Sequence, residues 1–218
     1  MSQTFRPSAN FFFKLVVLGI GAGVLSVGLL FYLDARSDYV TGVNVAPEQP
    51  IPFSHKHHVQ GLGLDCRYCH TSVEISPFAG MPSTHTCMTC HSQLFSDSQA
   101  LKALRDSSEK NLPISWTRVQ RLADFAYFDH SIHVQKGVGC STCHGQVQAM
   151  PLVWEHKRFL MQECLECHRQ PQKYLRPPEE IFNMSWKKTA DNAAERKNLV
   201  EHYRIHTNLL TNCSTCHR

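Results

Sequence analysis

The first apolar stretch of the chain is long enough to cross a membrane. Residues 15–33 read L-V-V-L-G-I-G-A-G-V-L-S-V-G-L-L-F-Y-L and contain no charged side chain. A helix of this length matches the hydrocarbon thickness of a bilayer. Phe11, Phe12 and Phe13 extend the apolar stretch upstream, and Tyr32 is placed near one interface. The pattern therefore predicts one transmembrane anchor helix over 15–33.

The charges that flank this stretch predict its orientation. Arg6 and Lys14 precede it with no acid beside them, and Asp34 and Asp38 are among the charges that follow. The positive-inside rule then makes 1–14 a cytoplasmic flank and places the rest of the chain in the periplasm. A cleaved signal peptide is the alternative, but the run ends F-Y-L-D-A-R without a small-x-small cleavage site. We expect a single-pass anchor in a bacterial inner membrane.

Cysteine and histidine dominate the candidate chemistry, with 10 Cys and 14 His in 218 residues. The net charge of +4 is too small and too scattered for a nucleic-acid groove, so we expect no nucleic-acid partner. Charged residues make up 18% and apolar residues 42%, which excludes a disordered charged tail. The cysteine content leaves a disulfide scaffold, a zinc protein or a haem protein.

Every cysteine belongs to a C-x-x-C-H string. Two thiols on one helical turn can form thioethers to the two vinyl groups of a haem, and the adjacent His reaches the iron from the same side. A zinc site would need two strings per ion, so one of the five strings would be left without a partner. Redox dithiols do not need a His after the second Cys. The spacing predicts five covalently bound c-type haems. The attaching residues are Cys66, Cys69, Cys87, Cys90, Cys140, Cys143, Cys164, Cys167, Cys213 and Cys216, and the proximal iron ligands are His70, His91, His144, His168 and His217.

The number of residues available to each haem predicts the fold class. So little chain follows the anchor that five haems must lie close together and supply much of the apolar core. We therefore expect a multihaem cytochrome c of mostly short α-helices and loops around five closely packed haems, plus the N-terminal transmembrane helix.

An internal repeat divides the haem-bearing sequence. The string F-x-H-x-x-H occurs as F-S-H-K-H-H at 53–58 and F-D-H-S-I-H at 128–133, and two C-x-x-C-H strings follow each copy. This indicates a duplicated two-haem unit, at 53–91 and 128–168. Two His at i and i+3 project to the same side of a helical turn at different heights, so they can ligate two closely packed haems.

The same string resembles that of multihaem cytochromes of the c3/c7 type. The resemblance implies that His55 and His130 bind the haem attached just downstream, and that His58 and His133 bind neighbouring haems. Four irons would then have two His ligands each.

The distal ligand of the fifth iron is predicted as Met150, in Q-A-M-P-L, or else Met161, in F-L-M-Q-E-C, with His206 third. A Met ligand would raise the potential of that haem above those with two His ligands. The other unassigned histidines are expected to be ordinary surface or core residues. They are His57, His85, His156 and His202, and His206 if Met serves.

The remaining segments connect these units. We expect a Pro-containing tether at 34–52 and a connector at 92–127 with a short helix in S-Q-A-L-K-A-L-R-D-S-S. The C-terminal part, 169–218, should hold an amphipathic helix at about 186–206 and the fifth haem site.

Three functions fit a five-haem chain: an electron conduit, a multihaem reductase of a small substrate such as nitrite, and a structural subunit. A reductase needs an iron with an open position. All five strings end in His, and more than five axial candidates remain. We therefore favour the conduit and expect no catalytic site of its own.

Long strings resemble the pentahaem cytochrome c subunit of alternative complex III: C-R-Y-C-H-T-S-V-E-I-S-P-F-A-G-M-P-S-T-H-T-C-M-T-C-H, G-V-G-C-S-T-C-H-G-Q-V-Q-A-M-P-L, C-L-E-C-H-R-Q-P and T-N-C-S-T-C-H-R. The resemblance implies a menaquinol-oxidising membrane complex with an iron–sulfur/molybdopterin-like subunit, quinol-binding integral membrane subunits and a monohaem cytochrome c. This chain would relay electrons towards a periplasmic cytochrome or an oxidase.

Two alternatives stay open, a subunit of another molybdopterin-family membrane oxidoreductase and a free-standing quinol-dehydrogenase cytochrome. The apolar span has no acidic residue and no His in its core. Because a quinol site needs proton acceptors, we expect quinol to be oxidised mainly in a partner subunit.

Overall fold

The computed structural model describes residues 6–187 and 193–217. The chain divides into two compact units, Met1–Val43 and Asn44–Arg218. The first is almost entirely helix, and the second carries every cysteine and histidine.

The first unit is built on α1, Pro7–Arg36, which extends beyond the predicted span at both ends. Its side chains are exposed from Asn10 to Leu33. By length and composition α1 could cross a membrane, because its most apolar window has a mean hydropathy of 2.3. The short helix α2, Asp38–Thr41, follows after Ser37, whose hydroxyl donates to the Asp34 carbonyl and accepts from Val40 N–H.

The second unit consists of short helices joined by loops. Its α-helices are α3 Cys66–Cys69, α4 Thr84–His91, α5 Lys102–Lys110, α6 His130–Gln135, α7 Ser141–His144, α8 Met161–Arg169, α9 Ala193–His202 and α10 Cys213–Cys216. A π-helical turn covers Lys56–Gly61, and 3₁₀ turns cover Gln99–Leu101, Val147–Ala149, Pro171–Lys173 and Pro178–Glu180. Among the described residues the β-structure amounts to isolated bridges of one residue pair, such as antiparallel Val138–Leu175.

Apolar side chains form only a small cluster in the second unit. Val73, Val134 and Ile181 are buried together, and Ala79 and Phe182 pack against them. Val73 follows the first C-x-x-C-H and Val134 lies on α6, so this cluster joins the two halves of the repeat.

Hydrogen bonds and an ion pair join the connector, residues 92–127, to the tether and to the segment between the third and fourth strings. The side chain of Gln49 accepts from Thr117 N–H at 3.0 Å and donates to the Thr117 carbonyl at 2.9 Å. Arg121 pairs with the buried carboxylate of Glu155 at 2.9 Å. The helix predicted in the connector is present as the 3₁₀ turn Gln99–Leu101 followed by α5.

The C-terminal helix differs from the expectation of a helix at about 186–206. Trp186 and Lys187 are not helical, residues 188–192 lie outside the described part, and α9 ends at His202. The chain leaves the helix there because Tyr203 is buried and its hydroxyl donates to the Arg176 carbonyl at 2.7 Å. His202 and His206 therefore do not share a helix face.

Candidate functional site

Each C-x-x-C-H string places its two cysteines about one helical turn apart. Cys66 and Cys69 are the first and last residues of α3, and Cys213 and Cys216 those of α10. A preceding polar residue starts several of these turns: Asp65 accepts from Arg67 N–H, and Ser83 accepts from Thr86 N–H before α4. The two thiols of a string therefore project to one side, as attachment to a single planar group requires.

The structure brings eight of the predicted iron ligands together in four pairs. Two imidazoles that share one metal ion through bonds of about 2 Å have ring centres about 6 Å apart, and all four pairs match this separation. The ring-centre distances and interplanar angles are 6.5 Å and 5° for His55–His70, 6.1 Å and 62° for His58–His91, 6.3 Å and 5° for His130–His144, and 6.2 Å and 21° for His133–His168.

Backbone carbonyls orient most of these rings through Nδ1. His70 Nδ1 lies 2.7 Å from the Gly80 carbonyl oxygen, and His130 Nδ1 lies 2.8 Å from that of Pro77. An Nδ1–H bonded to a carbonyl leaves Nε2 with the lone pair that a metal needs. The same contact is made by His58 to Ser54, His91 to Leu94, His133 to Asp129, His168 to Leu210 and His217 to Phe125.

Burial favours the neutral, metal-binding form of the paired imidazoles. Burial, followed by the neighbouring His70 and His58, lowers the pKa of His55 to about 4. Burial also lowers the pKa of His144 to about 4 and that of His133 below its ordinary value. His55 Nδ1 is buried and has no hydrogen-bond partner in the described part of the chain.

A phenylalanine holds both histidines of each F-x-H-x-x-H string. The Phe128 ring stacks on His133 at 4.3 Å and meets His130 edge-on at 4.8 Å. Phe53 does the same, at 4.5 Å from His58 and 5.0 Å from His55. Because both copies share this geometry, we assign Phe53 and Phe128 a role in positioning the histidines. This role was not predicted from the sequence, although the Phe is repeated in both strings.

The five strings succeed one another in space in an order that differs from chain order. Tyr68 and Thr89 share a hydrogen bond of 2.9 Å between the first and second strings. The neighbouring Cys140 is the largest cause that lowers the pKa of the Cys66 thiol, to about 7, which is consistent with the first string lying beside the third. The third and fourth strings are neighbours because His130 and His133, both on α6, face His144 and His168 respectively. His168 Nδ1 lies 2.8 Å from the carbonyl oxygen of Leu210, just before the fifth string, which places the fifth string beside the fourth.

The fifth string lies against the connector. Tyr127 N–H donates to the Cys216 carbonyl at 2.8 Å, and the Phe125 ring lies 5.9 Å from that of His217. Met150 is buried beside the first F-x-H-x-x-H string, where its carbonyl accepts from Lys56 N–H at 3.0 Å, and Met161 is exposed at the start of α8. Within the described residues, neither a hydrogen bond nor a ring contact joins either Met to His217. The prediction of Met150, or Met161, as the distal ligand stays a prediction.

The unassigned histidines have separate surroundings. His57, His85, His156, His202 and His206 are all exposed. His156 packs against Gly145, where an added Cβ would lie 2.7 Å from the His156 ring. Among the described residues, no cluster of three or more His, Cys, Asp or Glu has the arrangement of a directly bound metal ion.

Two protein-family models match separate parts of the chain. A cytochrome c3 family model matches residues 132–218, and a class III cytochrome c family model matches residues 35–115. These are multihaem cytochrome c3-type sequences. The two matches include all five C-x-x-C-H strings and leave 1–34 and 116–131 unmatched. The second unit thus has a cytochrome c3-type multihaem fold of helices and loops, and families of this type bind c-type haems covalently.

A curated relative points to the setting. The chain is 38% identical over 98 residues to the protein named "Menaquinone reductase, multiheme cytochrome c subunit" of Nitratidesulfovibrio vulgaris. The match covers 44% of this chain and 46% of that relative, so it spans less than half the length of either protein.

The residues present fit covalently attached haem. Five helical turns offer paired thiols with an adjacent His, and four of those His face a second imidazole at the separation of two ligands on one iron. Carbonyl-bonded Nδ1 atoms direct Nε2 towards the ion.

Proposed function

We propose that this chain is a membrane-anchored pentahaem c-type cytochrome that relays electrons within a quinol-oxidising respiratory complex of the alternative complex III kind. The observation that carries the proposal is the set of four facing imidazole pairs. Bound haem supplies reversible one-electron transfer at its iron. Because each pair would give one iron two protein ligands, these sites suit electron transfer rather than substrate binding.

Each imidazole pair would hold one of four irons. His55 with His70 and His130 with His144 serve the haems attached at the first and third strings. His58 with His91 and His133 with His168 serve those at the second and fourth. The carbonyl contacts fix the imidazole orientation, so little rearrangement accompanies a change of charge.

The spatial order of the strings gives the relay two ends. The second string lies at one end beside the first, and the fifth lies at the other beside the fourth. We propose that electrons enter at one of these ends and leave at the other, through the C-x-x-C-H strings between them. A partner cytochrome or oxidase would dock at the exit.

We propose that α1 anchors the chain in the inner membrane with its N-terminus in the cytoplasm and the haem-bearing unit in the periplasm. The apolar, charge-free composition of 15–33 supports the anchor, and Arg6 and Lys14 support the orientation. The quinol site would lie in an integral membrane partner, and an iron–sulfur/molybdopterin-like subunit and a monohaem cytochrome c would complete the complex.

The name of the relative supports a second candidate, electron flow in the opposite direction. A menaquinone reductase subunit passes electrons towards menaquinone. Purified complex, given a menaquinol analogue or a reduced periplasmic cytochrome in separate experiments, distinguishes the two. Rapid haem reduction by the quinol supports the oxidising complex, and turnover only from the cytochrome side supports the reductase.

Haem count tests the proposal directly. The intact mass of the purified full chain should exceed the polypeptide mass by five haems, and the pyridine haemochrome should agree. Replacing both Cys213 and Cys216 by Ser should remove one haem and leave four. A wild-type chain with fewer than five haems contradicts the pentahaem assignment.

Carbon monoxide tests the conduit against the reductase. An iron with two protein ligands does not take up CO when reduced, so we expect no CO adduct at the four paired sites. Near-infrared magnetic circular dichroism should show a His/Met signature at the fifth iron. Binding of CO at one haem would instead favour an open, substrate-binding iron.

A further inference from the structure

Arg176 is a buried cation that the proposed ligand set does not use. Its side chain is part of a residue only 4% exposed. It lies in the segment between the 3₁₀ turns Pro171–Lys173 and Pro178–Glu180, and this segment runs along the third haem string. Arg176 N–H donates to the Gly137 carbonyl at 2.9 Å, and the neighbouring Leu175 bridges Val138.

The guanidinium group lies directly on the haem-attaching turn. Its Nη2 donates to Ser141 Oγ at 2.5 Å. A Cβ added to Gly139 would lie 2.3 Å from both Cζ and Nε, so only glycine leaves room for the guanidinium there. Gly139 and Ser141 flank Cys140 in the chain. The positive charge is therefore held against the residue that would carry one thioether of the third haem.

Neutral oxygens satisfy this charge. Nη1 donates to the carbonyls of Glu180 at 3.3 Å and Asn183 at 2.9 Å, and the Trp186 ring centre lies 5.0 Å from Cζ. The carboxylate of Glu180 instead accepts from Asn183 Nδ2 at 2.6 Å. Among the described residues, Nε is buried without a hydrogen-bond partner and no carboxylate pairs with Arg176.

The repeat supplies an internal comparison. His55–His70 and His130–His144 have the same interplanar angle of 5° and nearly the same separation. In the first copy the arginine of the attaching turn, Arg67, is exposed and pairs with Asp65 at 2.9 Å. Two sites with matching ligands thus differ in the local charge.

A buried positive charge favours the state of a nearby centre that has gained an electron. Attraction between charges strengthens as the local dielectric falls, and charge near a haem is one of the ways a protein sets its potential. An unpaired buried charge is also costly to keep. Placed against a redox centre, such a charge has a use that offsets this cost.

We propose that Arg176 raises the reduction potential of the haem attached at Cys140 and Cys143 and so separates it from the otherwise similar haem at Cys66 and Cys69. The inference rests on the proposed haem relay. Arg176 acts through the positive charge that it holds against the attaching turn. It is not an iron ligand.

The test compares Arg176→Gln with Arg176→Lys in the full chain. A potentiometric titration with dithionite as reductant follows haem absorbance against potential. It reports which fraction of the absorbance change shifts in potential. In Arg176→Gln we expect one haem's share of the absorbance change to shift to lower potential. A tenfold change in its oxidised-to-reduced ratio corresponds to a shift of about 59 mV. Arg176→Lys keeps the charge and should shift by less than half as much.

Arg105→Gln is the matched control. Arg105 lies on α5 and donates from Nη1 to the Ser98 carbonyl at 2.8 Å. The control variant therefore also removes a guanidinium group, but not the one that contacts the third string. Its titration should match the wild type. Equal shifts in Arg176→Gln and Arg176→Lys would assign the effect to lost hydrogen bonds and overturn the proposal. A fully haem-loaded Arg176→Gln chain with an unchanged titration would also overturn it.

A second variant covers the case in which Arg176→Gln does not fold. Ser141→Asp places a carboxylate where the hydroxyl accepts from Nη2, so it neutralises the charge while keeping the arginine. The same downward shift is expected, and an unchanged titration again refutes the role. Haem content, measured by intact mass, separates these outcomes from failure of the relay itself, which would show as missing haems in the wild type.

Discussion

Phe53 and Phe128 show how single residues prepare an iron site. Each ring contacts two histidines that belong to different facing pairs, so one side chain positions both pairs. The sequence predicted the histidines from their repeat. It did not predict the carbonyl acceptors, because Gly80 and Pro77 reach His70 and His130 through a loop that no periodic pattern describes.

His58→Met should raise the potential of one haem without removing it. A Met sulfur ligand stabilises ferrous iron relative to an imidazole ligand. The covalent bonds from Cys87 and Cys90 to the haem would keep it attached. Potentiometry should show one transition moved upwards at unchanged haem content. His57→Met alters an exposed neighbour and serves as the control. Identical titrations for both variants would exclude His58 as an axial ligand.

Phe128→Leu should weaken the second two-haem unit. The substitution removes an aromatic contact with His130 and His133, and such contacts contribute about 1 kcal/mol to the free energy of unfolding. Denaturant unfolding followed by haem absorbance measures the loss. Phe125→Leu, at an exposed ring near the fifth string, should leave the unfolding of the second two-haem unit, 128–168, unchanged. A destabilisation no larger than that control would argue against the positioning role.

At the scale of elements, the short helices follow the haem strings rather than hydrophobic periodicity. The five attaching turns could be located from C-x-x-C-H alone, because the chemistry needs two thiols on one turn. The predicted helix at about 186–206 was too long because its end depends on Tyr203, which docks on Arg176 far away in sequence. Such distant contacts leave no local signal in the chain.

Gly139→Ala should destabilise the packing of the Arg176 segment on the third string. The new Cβ would lie 2.3 Å from the guanidinium, which must then move and lose its bond to Ser141. Crowding of this kind costs about 1–3 kcal/mol. Gly61→Ala is the control, since its Cβ would come no closer than 3.5 Å to the nearest atom. Equal unfolding midpoints for the two variants would contradict the close packing.

The interplanar angles predict distinct magnetic signatures for the four paired irons. When the two imidazole planes at one iron are nearly parallel, both ligands split the iron d orbitals in the same direction. When the planes are strongly tilted, the two splittings oppose each other. The oxidised protein should give rhombic low-spin EPR signals for His55–His70 and His130–His144, and a highly anisotropic signal for His58–His91 at 62°. His91→Met should abolish the anisotropic signal alone. Its persistence would mean that this pair does not share an iron.

At the scale of the whole molecule, the two compact units separate the apolar helix α1 from the C-x-x-C-H strings. The class and the apolar anchor candidate were accessible from the sequence, since composition and motif spacing determine them. The spatial order of the five strings was not, because it depends on contacts such as Cys66 with Cys140 and Tyr68 with Thr89.

Removal of residues 1–43 should release the haem-bearing unit from the membrane. The compact unit that begins at Asn44 contains every haem-attaching cysteine. Exported behind a cleavable signal peptide, this truncated chain should appear in the soluble periplasmic fraction with the haem content of the full chain. The full chain should stay with the membranes after a carbonate wash. A truncated chain that remained membrane-bound would show that α1 is not the anchor.

The pairing of the histidines also bears on how the protein matures during export. His55, His58, His70 and His91 all lie within one stretch of sequence, and His130, His133, His144 and His168 lie within another. Each stretch would therefore supply both imidazoles of its own pairs, and loop closure over such short separations costs little entropy. Because the part of the chain after α1 would be exported in sequence order, the first stretch can pair its histidines before the second arrives, and the Pro77 carbonyl that holds His130 is then already in place.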